Sequence, residues 1–209
     1  MASRFTLHGL WLSGPTYKVA LMLSMCGQAF AYRHVDLRAG KHKTPEFLAM
    51  NRYGQVPVLE DGDLKLCQSG SILEYLAAEL GKFAGGSAEE KARAREWLFW
   101  EFDKLSPNVY RSRAIKRGFF KAEDSVAALY RSQAEDALKV LESQLAKTPY
   151  LTGAQPTIAD IAVFGVIAYA DEAGFDMAAW PHVKAWKDRF EKLPGVKLPY
   201  DLLPQQDAA

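Results

Sequence analysis

Four short stretches of the chain carry residues whose types and spacing could serve a binding or catalytic site. Ser13 precedes Gly14-Pro15 and the apolar-rich run from Tyr17 to Cys26. Proline is favoured at the first position of a helix, so the Ser13 hydroxyl falls at a helix N-terminus, whose dipole favours negative charge. Gln68-Ser69 lies at a strand-to-helix junction, where free backbone N–H groups suit an anionic group. At both positions an ordinary capping hydroxyl is the plainer reading, and at Ser69 the two roles can coexist. His42 stands between Lys41 and Lys43 and could meet a carboxylate; taken alone, such a residue is solvated surface. Val56-Pro57 opens a strand with a residue that cannot donate to the ladder, as edge-strand prolines do.

Several chemistries are excluded by what accompanies these residues. Ser13 has no His/Asp pair of the kind a nucleophilic triad needs. Cys26 and Cys67 have neither the number nor the spacing of a disulfide framework or a zinc site, and there is no C-x-x-C. That points to a reducing compartment, to no metal, and away from a mechanism through an enzyme thiol. With 26 Lys plus Arg against 25 Asp plus Glu, the chain lacks the charge excess of a nucleic-acid or anionic-membrane binder. The opening residues have no long apolar run, and Ile158 to Ala173 is too short and too charged to span a bilayer. The expectation is a cytoplasmic protein with a small-molecule or protein partner.

The elements that must position these groups follow from periodicity. Phe5–His8, Ala31–Leu37, Val56–Leu59 and Leu64–Leu66 read as strands, with Asp61-Gly62-Asp63 as a hairpin turn. Pro15–Cys26, Pro45–Met50 and a run capped by Ser69 read as helices, giving the order βαβαββα. The Gly-rich stretch 81–87 marks a boundary, predicting one domain over 1–81 and a second over 82–209. Beyond it the pattern is helical: Ala88 to Val109, Asp124 to Lys147, a helix from Thr157 with a capping-box sequence, and another after Pro181.

An α/β domain of this order followed by an all-α bundle resembles the cytosolic glutathione transferases, and five motifs carry the resemblance in order. They are Leu12-Ser13-Gly14-Pro15, Gly40-Lys41-His42-Lys43-Thr44-Pro45, Asn51-Arg52-Tyr53-Gly54-Gln55-Val56-Pro57, Gln68-Ser69-Gly70-Ser71-Ile72, and Tyr150-Leu151-Thr152-Gly153 through Asp160. The resemblance implies a thioredoxin-like domain with a helical bundle, and a site chemistry closest to the serine-type, theta-like bacterial members. It implies that Ser13 donates to the glutathione sulfur and that His42, Lys43, Gln55, Val56, Gln68 and Ser69 hold the tripeptide. In that reading the Val56-Pro57 peptide is cis and Val56 pairs with the cysteinyl unit, while Ser69 takes the γ-glutamyl carboxylate. Thr16 and Trp11 flank the site and could supply or redirect the donor. Trp97, Trp100, Tyr110, Phe119, Phe120 and Tyr169 are candidates for an electrophile pocket, with core or dimer interface as the alternative. The implied function is conjugation of the glutathione thiolate to small hydrophobic electrophiles by a homodimer, with hydroperoxide reduction as a second activity. The rivals are a non-catalytic glutathione-binding or dimerisation protein on the same fold and a glutathione-dependent isomerase or dehalogenase.

Overall fold

The computed structural model describes residues 3–208, which divide into two compact units. The first comprises the residues up to Gly81 together with those from Pro194 on; the second is Lys82–Leu193. The expected division, a single cut after residue 81, therefore does not hold for residues 194–208, which return to the first unit. Their ties are polar and local. Tyr17 Oη donates to the Lys197 carbonyl (2.8 Å), Ser24 Oγ donates to that of Gly195 (2.6 Å), and Ala208 bridges Tyr32. No periodicity signals such partners across more than a hundred and seventy residues of sequence.

The first unit is built on a four-stranded mixed sheet in the order β2-β1-β3-β4, from β1 (Phe5–Gly9), β2 (Phe30–His34), β3 (Val58–Asp61) and β4 (Leu64–Cys67). β1 runs parallel to β2 and antiparallel to β3, and β3 turns into β4 through a short hairpin. Helix α1 (Gly14–Met25) is buried on almost every side, as its all-round apolar composition requires, and packs against α3 (Ser69–Leu80). Between them in sequence comes α2 (Pro45–Met50), capped by Thr44 with Pro45 at its first position. β2 ends sooner than its alternation suggests. The Val35 N–H makes a last bond to Gly9 (2.7 Å), and the chain then turns on Asp36 Oδ1, which accepts from Arg38 and Ala39. β3 starts two residues later than expected, after Pro57.

The second unit is helical: α4 (Ala88–Trp100), α5 (Ser106–Lys116), α6 (Asp124–Leu145), α7 (Ile158–Ile167), α8 (Ala170–Ala173) and α9 (Pro181–Phe190), while the short α10 (Pro199–Leu202) belongs to the first unit. The helix expected over Ala88 to Val109 instead runs on to Lys116 through a π-helical stretch, Glu101–Leu105. Pro107 explains the wider turn, because it has no N–H to return to residue 103. The Asn108 side-chain amide donates to the neighbouring Lys104 carbonyl (2.6 Å). α7 is buried along its whole length and starts in a capping box formed by Thr157 and Asp160. No helix among the described residues is long and apolar enough to cross a membrane.

Candidate functional site

Strand register brings the separate motifs to one end of the sheet. Gly9, the last residue of β1, pairs with His34, the last of β2; His8 pairs with Val58, the first of β3; and Val58 pairs with Cys67, the last of β4. The segments continuing from these positions carry, in turn, Ser13, the 35–44 loop with His42 and Lys43, the Gln55–Pro57 stretch, and Gln68-Ser69. Sites separated by up to 56 positions in sequence thus share one edge because β3 runs against β1.

Ser13 is the N-cap of α1 in an extended conformation, and its Oγ accepts from the Thr16 N–H (3.2 Å). That bond uses an acceptor lone pair and leaves the hydroxyl proton for another partner. Thr16 is fully buried, with its hydroxyl turned back toward the Leu10 N–H, so the alternative donor faces inward. Gly9 makes this possible: a Cβ there would stand 2.1 Å from Thr16 Cγ2. Trp11 lies edge-on to Tyr200, ring centroids 5.6 Å apart. Tyr17 is buried with its hydroxyl on Lys197.

The Val56-Pro57 peptide is cis. The Val56 side chain packs against a small apolar cluster of Val35, Phe47 and Val58, with Leu37, Met50 and Cys67 alongside. The Val56 backbone N–H and C=O have no hydrogen-bond partner among the described residues. Asn51, 2% exposed, shapes this loop: its Nδ2 donates to the Gln55 carbonyl (2.6 Å) and its Oδ1 accepts from the Tyr53 N–H (3.0 Å). Its position in the Asn51-to-Pro57 motif was the available signal for this role, which its polar side chain alone does not announce. Gly54, at φ 57°, lets the loop press on the preceding one; a Cβ would come within 2.9 Å of the His42 carbonyl.

At the α3 entry the structure corrects one assignment. Gln68, not Ser69, is the N-cap, and Ser69 is the first helical residue with no capping bond from its side chain. The Ser69 hydroxyl is buried and unpartnered. Gln68 holds φ 69° and ψ 112°, a conformation that side chains rarely adopt and that costs about 1–3 kcal/mol. With no side chain capping it, the N-terminus of this 12-residue helix presents its first N–H groups together with a buried hydroxyl.

His42 sits in a 3₁₀ turn after Gly40, with Nδ1 buried and unpartnered. Lys43 is less available than its neighbour, because its Nζ donates to the Gly54 carbonyl (3.1 Å). Cys26 caps the C-terminal end of α1 and is buried. The Cys67 thiol donates to the Met50 carbonyl (3.5 Å), and burial pushes its pKa up, which disfavours the thiolate. No group of three or more His, Cys, Asp or Glu residues suited to a metal ion occurs among the described residues.

This arrangement has relatives. Residues 3–78 match the family described as glutathione S-transferase, N-terminal domain, and residues 114–189 match its C-terminal domain. Glutathione S-transferase 3 of Zea mays is 33% identical over 214 aligned positions, covering 95% of this chain and 94% of the relative. A crystal structure of a glutathione S-transferase from Pseudomonas fluorescens superposes with a TM-score of 0.91 at 33% identity, covering 95% of this chain and all of that one. A disulfide-bond oxidoreductase of Escherichia coli (strain K12) is 28% identical, covering 86% of this chain and 87% of its own length. The chain belongs to the glutathione S-transferase family.

Proposed function

We propose that the protein is a glutathione transferase of the serine type, theta-like in its site chemistry, in which Ser13 activates the glutathione thiol for attack on small hydrophobic electrophiles. The observation that carries this reading is the meeting, at one sheet end, of unpaired backbone at Val56, an unpartnered hydroxyl at Ser69 and a donor hydroxyl at Ser13. These match the three chemistries of the tripeptide. The cysteinyl amide pairs with Val56 as a short strand would. The γ-glutamyl carboxylate takes the α3 N-terminus and the Ser69 hydroxyl, with the Gln68 amide beside it. The glycyl carboxylate meets His42, with Lys43 supplying the donors it does not spend on Gly54. Gln55, whose side chain is exposed, flanks the same extended segment.

A thiol titrates near 8.5, and only the thiolate is a competent nucleophile. A hydrogen bond from Ser13 Oγ–H and the positive end of α1 both favour the anion, raising the thiolate fraction at neutral pH. Transfer then forms a carbon–sulfur bond as the electrophile's leaving group departs, or opens an activated double bond. The same thiolate attacking an organic hydroperoxide would leave an alcohol, a second glutathione closing the disulfide. Glutathione is substrate here, and no metal takes part in the proposed steps. Two free cysteines support a cytoplasmic location.

Retention on immobilised glutathione, followed by turnover of an electrophile panel and a hydroperoxide, tests the reading. Specific elution by free glutathione with conjugation of at least one electrophile is expected. Retention without turnover of any panel member would leave the binding protein, and failure to bind would remove the assignment. Turnover confined to isomerisation or dehalogenation would move the enzyme to the second rival.

A further inference from the structure

We propose that the cleft between α5, α6 and the C-terminal end of α8 binds a small organic carboxylate with a short apolar body. The cleft holds about 270 Å3 and lies wholly within the helical unit. Its polar lining is Ser112, Lys116 and Arg131, gathered around Gly174. The Lys116 Nζ and an Arg131 guanidinium nitrogen would stand 3.1 and 3.7 Å from a Cβ on Gly174, so two cations converge on the space that this glycine leaves open. Gly174 ends α8 at φ 89°, a conformation that itself favours glycine.

Charge bookkeeping leaves one of these two cations, Lys116, uncompensated. Glu172, the nearby acid, is shared by Arg113 (2.9 Å) and Arg117 (2.6 Å). Arg131 pairs with Glu135 (3.1 Å) and donates to the Gly174 carbonyl (3.2 Å). Lys116 has no ion pair among the described residues. Residues 104–122 carry six Lys or Arg and no acid; Asp103 and Glu172 pair with three of these cations, Lys104, Arg113 and Arg117, and a positive excess remains along α5. One turn before Lys116 on the same helix face, the Ser112 hydroxyl is buried, the residue being 9% exposed, and has no partner. An ammonium, a guanidinium and a hydroxyl around one opening suit a carboxylate, and the single unpaired cation favours a monoanion over a phosphate dianion. Ile115 and Ala173 supply an apolar wall for the remainder of the ligand.

Titration of the full chain with benzoate, followed by backbone amide NMR shifts, tests this, with benzyl alcohol as the uncharged probe. Saturable shifts confined to the facing parts of α5 and α6 and to residues 173–174 are expected, with benzyl alcohol much weaker. Lys116→Met should weaken benzoate about tenfold and Lys116→Arg should restore it, while glutathione turnover stays unchanged in both. Shifts that map elsewhere, equal binding of the alcohol, or a loss under threefold in Lys116→Met would overturn the proposal. The readout does not depend on glutathione chemistry, so this proposal and the transferase reading can fail separately.

Discussion

At the scale of single residues, the site divides into groups already committed to the fold and groups left open. Ser13 is half of each: Oγ caps α1, and its proton is available. Ser13→Ala removes one hydrogen bond to a charged group, worth about 1.5–3 kcal/mol, so turnover should fall about tenfold to a hundredfold. The thiolate absorbance of bound glutathione should titrate at higher pH, with affinity for the tripeptide largely kept. Wild-type rate together with wild-type titration would move the donor role to the Gly14 N–H, since Thr16 is turned away. Gln68 makes a complementary case. Its left-handed backbone is strain held at a binding edge, so Gln68→Gly should raise stability by about 1 kcal/mol in urea titrations. The same change should weaken glutathione, through loss of the amide. A variant neither more stable nor weaker in binding would show that Gln68 adopts this backbone for another reason.

Elements set those residues in place, and their legibility in the sequence was uneven. The order βαβαββα, with α1, α2 and α3, was readable because glycine, proline and apolar periodicity punctuate it, whereas the short α10 was not. Boundaries shifted where a side chain or a missing N–H intervened: Asp36 ending β2, Pro57 delaying β3 and Pro107 widening the turn before α5. Motifs singled out the segments that the strand register gathers at one sheet end, but Gln68 as the cap, and Asn51 as the brace of the Val56 loop, are properties of conformation that residue type does not carry. The capping box of α7 was visible, yet its weight was not. Asp160 accepts from the Thr157 N–H (2.9 Å), the Leu151 N–H (3.0 Å) and Trp186 Nε1 (3.0 Å), all buried. Asp160→Ala should therefore cost about 3 kcal/mol or more, beyond an ordinary cap, because it strands several donors. Burial pushes the Asp160 carboxyl up to about 6 against those three bonds. The native state thus binds its proton more readily than the unfolded chain, so this group's contribution falls as pH rises from about 4 to about 6. Relative to Asp160→Asn, which cannot ionise, the wild type should gain stability on acidification across that window. A difference independent of pH would show that the carboxyl is ionised throughout.

At the scale of the whole molecule, the exposed apolar side chains bear on assembly. Phe99 on α4 is 70% exposed, and Val140 on α6 is 45% exposed. Beside them runs a groove of about 530 Å3 lined by Trp100, Asp103, Lys104, Asp136 and Val140 among others. A two-fold contact places one patch against its own copy, so a patch that carries charge must hold both signs to be self-complementary, and this one does. We infer a homodimer through this face. Sedimentation at micromolar concentration should give twice the mass of 23.3 kDa, and Phe99→Asp should halve it. A monomeric wild type would refute the interface.

The return of residues 194–208 to the first unit also bears on synthesis. A nascent chain that has emerged only as far as residue 193 holds every strand of the sheet, yet Tyr17 and Ser24 lack their carbonyl acceptors and β2 has no cover on its outer side. An open strand edge invites pairing with other chains. The first unit, although made first, is therefore completed last. A ribosome stalled late in the message would release a sticky fragment rather than a working half-enzyme.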